Sequence, residues 1–358
     1  MRITLKYITL AAAALVVTHL AASAVMSAIT AHLYDHRMIN VRHLDSHQDK
    51  VPNLIAAFLQ SHRDGDKPKV LITGSSFSWG YSWPEKGIFS WHLQQLRPDL
   101  DVINASAIGY AAYGTVDVLC LAHKAKLKYQ TVVVEINLSN TRTAESRRCS
   151  GLVPLSLGRF KLNSCARVSI APPLPGMAYF SFFATTPFGL SNLRMIRDEY
   201  NYEQPERKFS FGKLPDDYFL APQEFDRAIP NLEELFSSLA EAGAHVSEDV
   251  IVLISPIATE GVRRSQFDPQ EVQRQQMVLQ TLCEKQPKLR CLPLQSDLPL
   301  EYFGNLTHLN LSGHAFYGRY FAGEIAEPIS VVAPQKDAIG PVRSEPRPIS
   351  KAASMTEK

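Results

Sequence analysis

In the stretch KVLITGSSFSWGYS, Lys69 to Ser82, β-favouring residues from Val70 to Thr73 run into Gly74-Ser75-Ser76 and stop there. Further along, INASAIGYAAYG supplies Asn104 and Gly109, EINLSN supplies Asn137 and Asn140, and FGNLTHLNLSGHAFYG places His308 just ahead of a helical pattern. A hydroxyl, backbone amides, an amide side chain and an imidazole are the parts that acyl transfer needs. A serine hydroxyl is a weak nucleophile until a base such as histidine takes its proton. The oxyanion of the tetrahedral intermediate needs donors aimed at it, and the backbone N–H groups of Ser76 and Gly109 and the side chain of Asn137 are the candidates. Gly74 permits a tight turn, and a serine at the start of the next helix gains some of the positive field there. Each residue also has a plainer reading: Ser75 or Ser76 as a helix N-cap, Gly109 as a turn glycine, Asn137 and Asn140 as loop amides, His308 as a structural histidine. His314, close to the motif, reads as a helix residue.

What decides between these readings is where the elements put the residues. Strand patterns at Val70–Thr73, Asp101–Ala105, Thr131–Ile136, Val250–Ser255 and Arg290–Leu294 alternate with helical patterns near Ser90–Leu96, Thr115–Ala125, Asn231–Ala242, Asp268–Gln286 and Ser312–Ile325. Such alternation implies an α/β fold, a parallel sheet with helices on both faces. In a doubly wound sheet, ligands bind beyond the carboxyl ends of the strands. Ser76, Gly109 and Asn137 each follow a strand, so they are expected on one edge with His308.

The same segments resemble the SGNH (GDSL-like) hydrolase superfamily, whose blocks supply Ser, Gly, Asn and His in this order. GSSFSWG is similar to the first block, usually Gly-Asp-Ser-x-x-x-Gly, with Ser76 at the nucleophile position. NASAIGY resembles the second through Gly109. EINLSN resembles the third, usually Gly-x-Asn-Asp, through Asn137, with Glu135 at its glycine position and Leu138 at its last. NLTHLNLSGH resembles the fifth, usually Asp-x-x-His, through His308. Two departures stand out. Ser75 replaces the aspartate beside the nucleophile, and Asn305 replaces the triad acid. The second matters more, because an amide can donate where an acceptor is needed, and amide replacement of such an acid costs orders of magnitude in rate. A Ser76–His308 dyad, a substitute carboxylate such as Asp297 or Glu301, or an impaired site are the three outcomes this allows. The resemblance implies a flavodoxin-like three-layer αβα sandwich around a central parallel sheet, spanning Lys69 to about Ile325, with one long insertion.

The rest of the chain sets the context. Of its 358 residues 45% are hydrophobic and 20% charged, enough to bury a large core. A net charge of +2, with no basic run interleaved with aromatics, gives no footprint for nucleic acid. No Gly-x-Gly-x-x-Gly or Walker pattern follows any strand, and no clustered Cys or His pattern suggests zinc, so neither a cofactor nor a metal is expected.

Tyr7 to Leu33 carries no charged residue, which is long enough for a membrane-crossing helix, and Arg2 and Lys6 precede it. This reads as an uncleaved anchor at residues 1–33 that exports the body of the protein. The competing reading is a cleaved signal peptide, since Ala22-Ser23-Ala24 has the form of a cleavage site. Residues 34–68 read as a stalk and lead-in, 69–328 as the main domain with an insertion at 141–222, and 329–358, rich in Pro and charge, as a disordered tail. The insertion holds Pro172-Pro173, Pro175 and the aromatics Tyr179, Phe180, Phe182 and Phe183, and such an interruption is usually an insertion or a lid. Of the five cysteines, Cys149–Cys165 and Cys283–Cys291 are expected as disulfides, with Cys120 a buried free thiol.

Location and resemblance together imply an exported serine esterase or O-acyltransferase acting on a cell-envelope or secreted glycan, with a membrane-bound acyl-transfer partner as an expected associate. The alternative is a catalytically degenerate domain that binds a glycan or serves as a scaffold in an envelope assembly.

Overall fold

In the computed structural model the described residues are 65–80, 83, 85–106, 112–139, 141, 210, 218–296 and 298–325, with 13, 14, 17, 18, 21, 58, 59 and 62 before them. The chain runs β1 (Lys69–Thr73), α1 (Ser76–Trp79), α2 (Phe89–Leu96), β2 (Asp101–Asn104), α3 (Ala112–Lys124), β3 (Thr131–Ile136) and α4 (Pro222–Ala244). It continues β4 (Asp249–Ile254), α5 (Thr259–Arg263), α6 (Pro269–Glu284), β5 (Arg290–Cys291) and α7 (Leu311–Glu324). The strands form one parallel sheet in the order β2-β1-β3-β4-β5. This is the flavodoxin-like order, and it reverses direction at β1/β3, the switch point where such folds bind ligands.

Helices cover both faces, giving the three-layer sandwich: α2 packs against α7, while α3 and α6 both pack against α4. The central strands are apolar almost throughout because neither face meets water. Val70, Leu71, Ile72, Val132, Val133, Val134, Ile251 and Val252 are all fully buried. Phe58 and Leu59, before the sheet begins, also lie in this core.

The longest helix among the described residues, α4, departs from its expected start. The sequence suggests a beginning near Asn231, yet α4 begins at Pro222 and runs through Pro230. Pro222 sits in the first turn, where its missing N–H costs nothing. Pro230 lies on the exposed side, so the carbonyl it leaves without a helical donor can be hydrated.

The edge strand β5 is only two residues long, and Cys283, buried at the end of α6, is bonded to Cys291 within it. The expected pair is therefore present. Cys120, expected as a free thiol, is instead disulfide-bonded. An apolar helical setting, which suits a thiol, suits a disulfide equally. Cys149 and Cys165 lie outside the described residues. Replacing Cys283 and Cys291 together by Ser is expected to lower stability by about 2 kcal/mol and Tm by roughly 5 °C. A scan without reductant checks this, and an unchanged Tm contradicts it.

Among the described residues no helix is long and apolar enough to cross a membrane. The expected anchor at 7–33 is described at only five scattered positions, and most of the insertion and all of 329–358 lie outside the described residues.

Candidate active site

The turn after β1 is built so that Ser76 stands at its tip. Ser75 occupies the N-cap position of α1 but does not cap it, because its hydroxyl donates to Glu135 Oε1 at 3.0 Å. Ser76 therefore begins a helix of four residues, whose single turn ends at Gly80 with φ 79°. A side chain at Gly80 would be strained in that left-handed conformation and would strike Ile88. One turn of helix supplies little of the positive field expected at Ser76.

His308 comes from a small hairpin between β5 and α7. Phe303 and Leu309 form an antiparallel bridge, and the Gly304 N–H donates to the His308 carbonyl at 2.9 Å. Trp83, buried beyond the Ser76 turn, donates its indole N–H to the Leu309 carbonyl at 2.8 Å and so ties this hairpin to the serine segment. On the other side the Tyr218 hydroxyl bonds to Thr307, and the Ser210 N–H donates to the Gly304 carbonyl at 3.0 Å. Residues near the end of the insertion thus brace the histidine loop.

These supports bring Ser76 Oγ to 2.7 Å from His308 Nε2. His308 Nδ1 lies 2.9 Å from Asn305 Oδ1. The amide's orientation is fixed locally, since Oδ1 also accepts the backbone N–H groups of Thr307 at 3.1 Å and His308 at 2.9 Å. An amide oxygen only accepts, so Nδ1 carries the proton and Nε2 is left to accept from the Ser76 hydroxyl. The concern raised by the sequence, an amide N–H facing the ring, is thereby removed. What the amide lacks is charge. Burial pushes the His308 pKa down to about 4. Of the two proposed substitute acids, Asp297 lies outside the described residues and Glu301 is exposed on its turn, where its carbonyl accepts from Asn310 Nδ2 at 2.5 Å.

Asn137 follows β3, the neighbour of β1 at the switch point, and is buried. Its Oδ1 accepts from the Ser139 N–H at 3.0 Å and from the Ser139 hydroxyl at 2.8 Å. That leaves Nδ2 buried and without a partner. An unsatisfied buried donor costs about 1–3 kcal/mol, which is explained if it faces a group that forms only during reaction. Asn137→Ala is expected to lower kcat about 10²- to 10³-fold with little change in KM. Steady-state kinetics on a short-acyl ester reads this, and a loss below about fivefold would remove Asn137 from the oxyanion role.

Asn104 is fully occupied: it donates to the Ser78 carbonyl at 2.9 Å and to Ser90 Oγ at 3.1 Å, and accepts from the Ser106 N–H. It fastens the turn and has no donor to spare. Gly109 and Asn140 lie outside the described residues. His314 is buried in α7, beside Phe77 and Phe89. Among the described residues no group of three His, Cys, Asp or Glu is placed to hold a metal ion.

Sequence reasoning passes over Trp83 and Tyr218 and gives Glu135 no role beyond a departure from the motif. The last had a signal, since a carboxyl in the otherwise apolar run TVVVEI must find donors if that strand is buried.

No protein-family model matches the sequence, and no curated protein does. Solved structures do align with it. A lipase/acylhydrolase from Enterococcus faecalis shares 15% identity over 72% of this chain and 95% of its own, with a TM-score of 0.37. The acetyl xylan esterase AlAXEase shares 11% over 72% of this chain and all of its own, with a TM-score of 0.38. An extracellular lipase from Streptomyces rimosus shares 10% over 72% and 100%, with a TM-score of 0.32. At such identities the likeness concerns the fold.

Proposed function

We propose that this chain is an SGNH-type serine acyl-hydrolase or O-acyltransferase working through an acyl-enzyme on Ser76, exported and acting on an envelope or secreted glycan. The observation that carries the reading is the Ser76–His308–Asn305 chain of hydrogen bonds, at 2.7 and 2.9 Å, in which the amide oxygen fixes the reactive imidazole tautomer.

His308 Nε2 takes the Ser76 hydroxyl proton as Oγ attacks the acyl carbonyl carbon. The carbonyl oxygen becomes an oxyanion facing Asn137 Nδ2 and the Ser76 N–H, which as the first helical residue lies outside the helix's own ladder. Collapse breaks the ester C–O bond, and the leaving alkoxide receives the proton from His308. Water or a sugar hydroxyl then attacks the acyl-serine by the same steps in reverse. Export is supported by the uncharged run at Tyr7–Leu33 and by a disulfide in the main domain. The glycan and a membrane-bound acyl-transfer partner rest on that topology and on analogy.

The uncharged Asn305 and the low His308 pKa favour a second reading, a degenerate site in a glycan-binding or scaffold domain. The test is to incubate the purified protein with short-acyl esters, with and without an oligosaccharide. Release of the acid, or an acyl mass gained by the sugar, is expected. A protein inert toward every ester that nonetheless binds the oligosaccharide would establish the second reading instead.

A further inference from the structure

Beneath the nucleophile turn lies a carboxyl that the chemistry above does not use. Glu135 is only 2% exposed, and its Oε2 accepts the Ser75 N–H at 2.5 Å. Its Oε1 accepts the Ser75 hydroxyl at 3.0 Å and the Ser255 hydroxyl as well. Ser255, just past β4, is itself held by its N–H to the Ile136 carbonyl at 2.9 Å, and its carbonyl accepts from Gln276 Nε2 at 3.1 Å. One carboxyl therefore joins the carboxyl ends of β1, β3 and β4. It also fills the space beside Gly74, where a Cβ would stand 2.4 Å from Oε2. These donors are neutral, and burial pushes the Glu135 pKa up while the Ser255 and Ser75 hydrogen bonds pull it down.

A buried acid is costly to keep unless its donors are placed for it. Here the donors are the peptide and side chain immediately before Ser76. We propose that Glu135 is the positioning residue of the nucleophile: it fixes the Ser75–Ser76 peptide so that the Ser76 hydroxyl meets His308 and the Ser76 N–H faces the forming oxyanion. The proposal rests on the acyl-transfer reading of Ser76, and it makes Ser75 and Glu135 a coupled pair that tolerates a single carboxyl. A second acid at 75 would touch the first, and two carboxyls in contact cannot both ionise.

The experiment compares Glu135→Ala, Glu135→Gln, Ser75→Asp and Ser75→Asp/Glu135→Gln by steady-state kinetics and by amide hydrogen exchange of peptides covering 74–80. Glu135→Ala is expected to lower kcat about 10²-fold with KM within about threefold, as for a misplaced reacting group, and to speed exchange in that segment. Glu135→Gln, which keeps an acceptor for the Ser75 N–H, should stay within about tenfold of wild type and keep the protection. Ser75→Asp should lose about 10²-fold, and adding Glu135→Gln should restore at least tenfold.

An unchanged kcat and exchange in Glu135→Ala, a loss in Glu135→Gln as deep as in Glu135→Ala, or additive Ser75 and Glu135 effects would each overturn the proposal. If Glu135→Ala does not fold, the Gln and Ser75 variants decide. If the wild type is inert toward every ester, the acyl-transfer reading fails by itself. Faster exchange of 74–80 in Glu135→Ala than in Glu135→Gln then still shows whether Glu135 holds the turn.

Discussion

Ser76→Ala and His308→Ala are each expected to lower kcat/KM on a short-acyl ester by about 10⁴- to 10⁶-fold, with the double variant scarcely worse than either. Neither change should disturb the fold, because Ser76 loses only a half-buried hydroxyl and His308 sits in a hairpin held by its own backbone bridge at Phe303 and Leu309. The non-additivity is the informative part. Once the base is gone the hydroxyl keeps its proton, so removing the hydroxyl too takes away little more. Independent losses that multiply in the double variant would mean that the 2.7 Å contact is not used as a catalytic unit.

Asn305→Asp is expected to raise kcat/KM at neutral pH at least tenfold, the reverse of the loss that an amide causes in an acid's place. The exchange is isosteric, and the carboxylate can still accept the Thr307 and His308 N–H groups that hold the present oxygen. It adds a negative charge beside Nδ1, which stabilises the imidazolium formed as Ser76 attacks. The pH profile should move with it. In the wild type, activity requires neutral His308, whose pKa burial pushes down to about 4, so kcat/KM rises through about pH 4 and is flat through neutrality. In the variant the carboxylate raises that pKa, so the acid limb shifts upward and activity falls away sooner as pH drops. A slower variant with an unmoved acid limb would show that position 305 does not act on the imidazole's charge.

Much of this was legible in the sequence because burial leaves a simple signature. Runs such as Val250–Ile254 are continuous and apolar, as a strand covered on both faces must be, and the helical stretches between them force parallel connections. The positions of Ser76, Asn137 and His308 at the ends of elements followed from that topology. Orientation was not legible. Nothing in NLTH says which end of the Asn305 amide meets the ring; the Thr307 and His308 N–H groups decide it, and they are placed by the hairpin. Cys120 looked like a spare thiol because pairing depends on what the fold brings beside α3. Glu135 looked like an eroded motif position because its donors come from residues 60 and 120 positions away.

In the proposed reaction Ser76 is a nucleophile activated by His308. The most direct test is treatment of the protein with a fluorophosphonate, followed by mass mapping of the adduct. A single adduct on Ser76 is expected, absent from Ser76→Ala and strongly slowed in His308→Ala. No adduct, or equal labelling of wild type and Ser76→Ala, would contradict it.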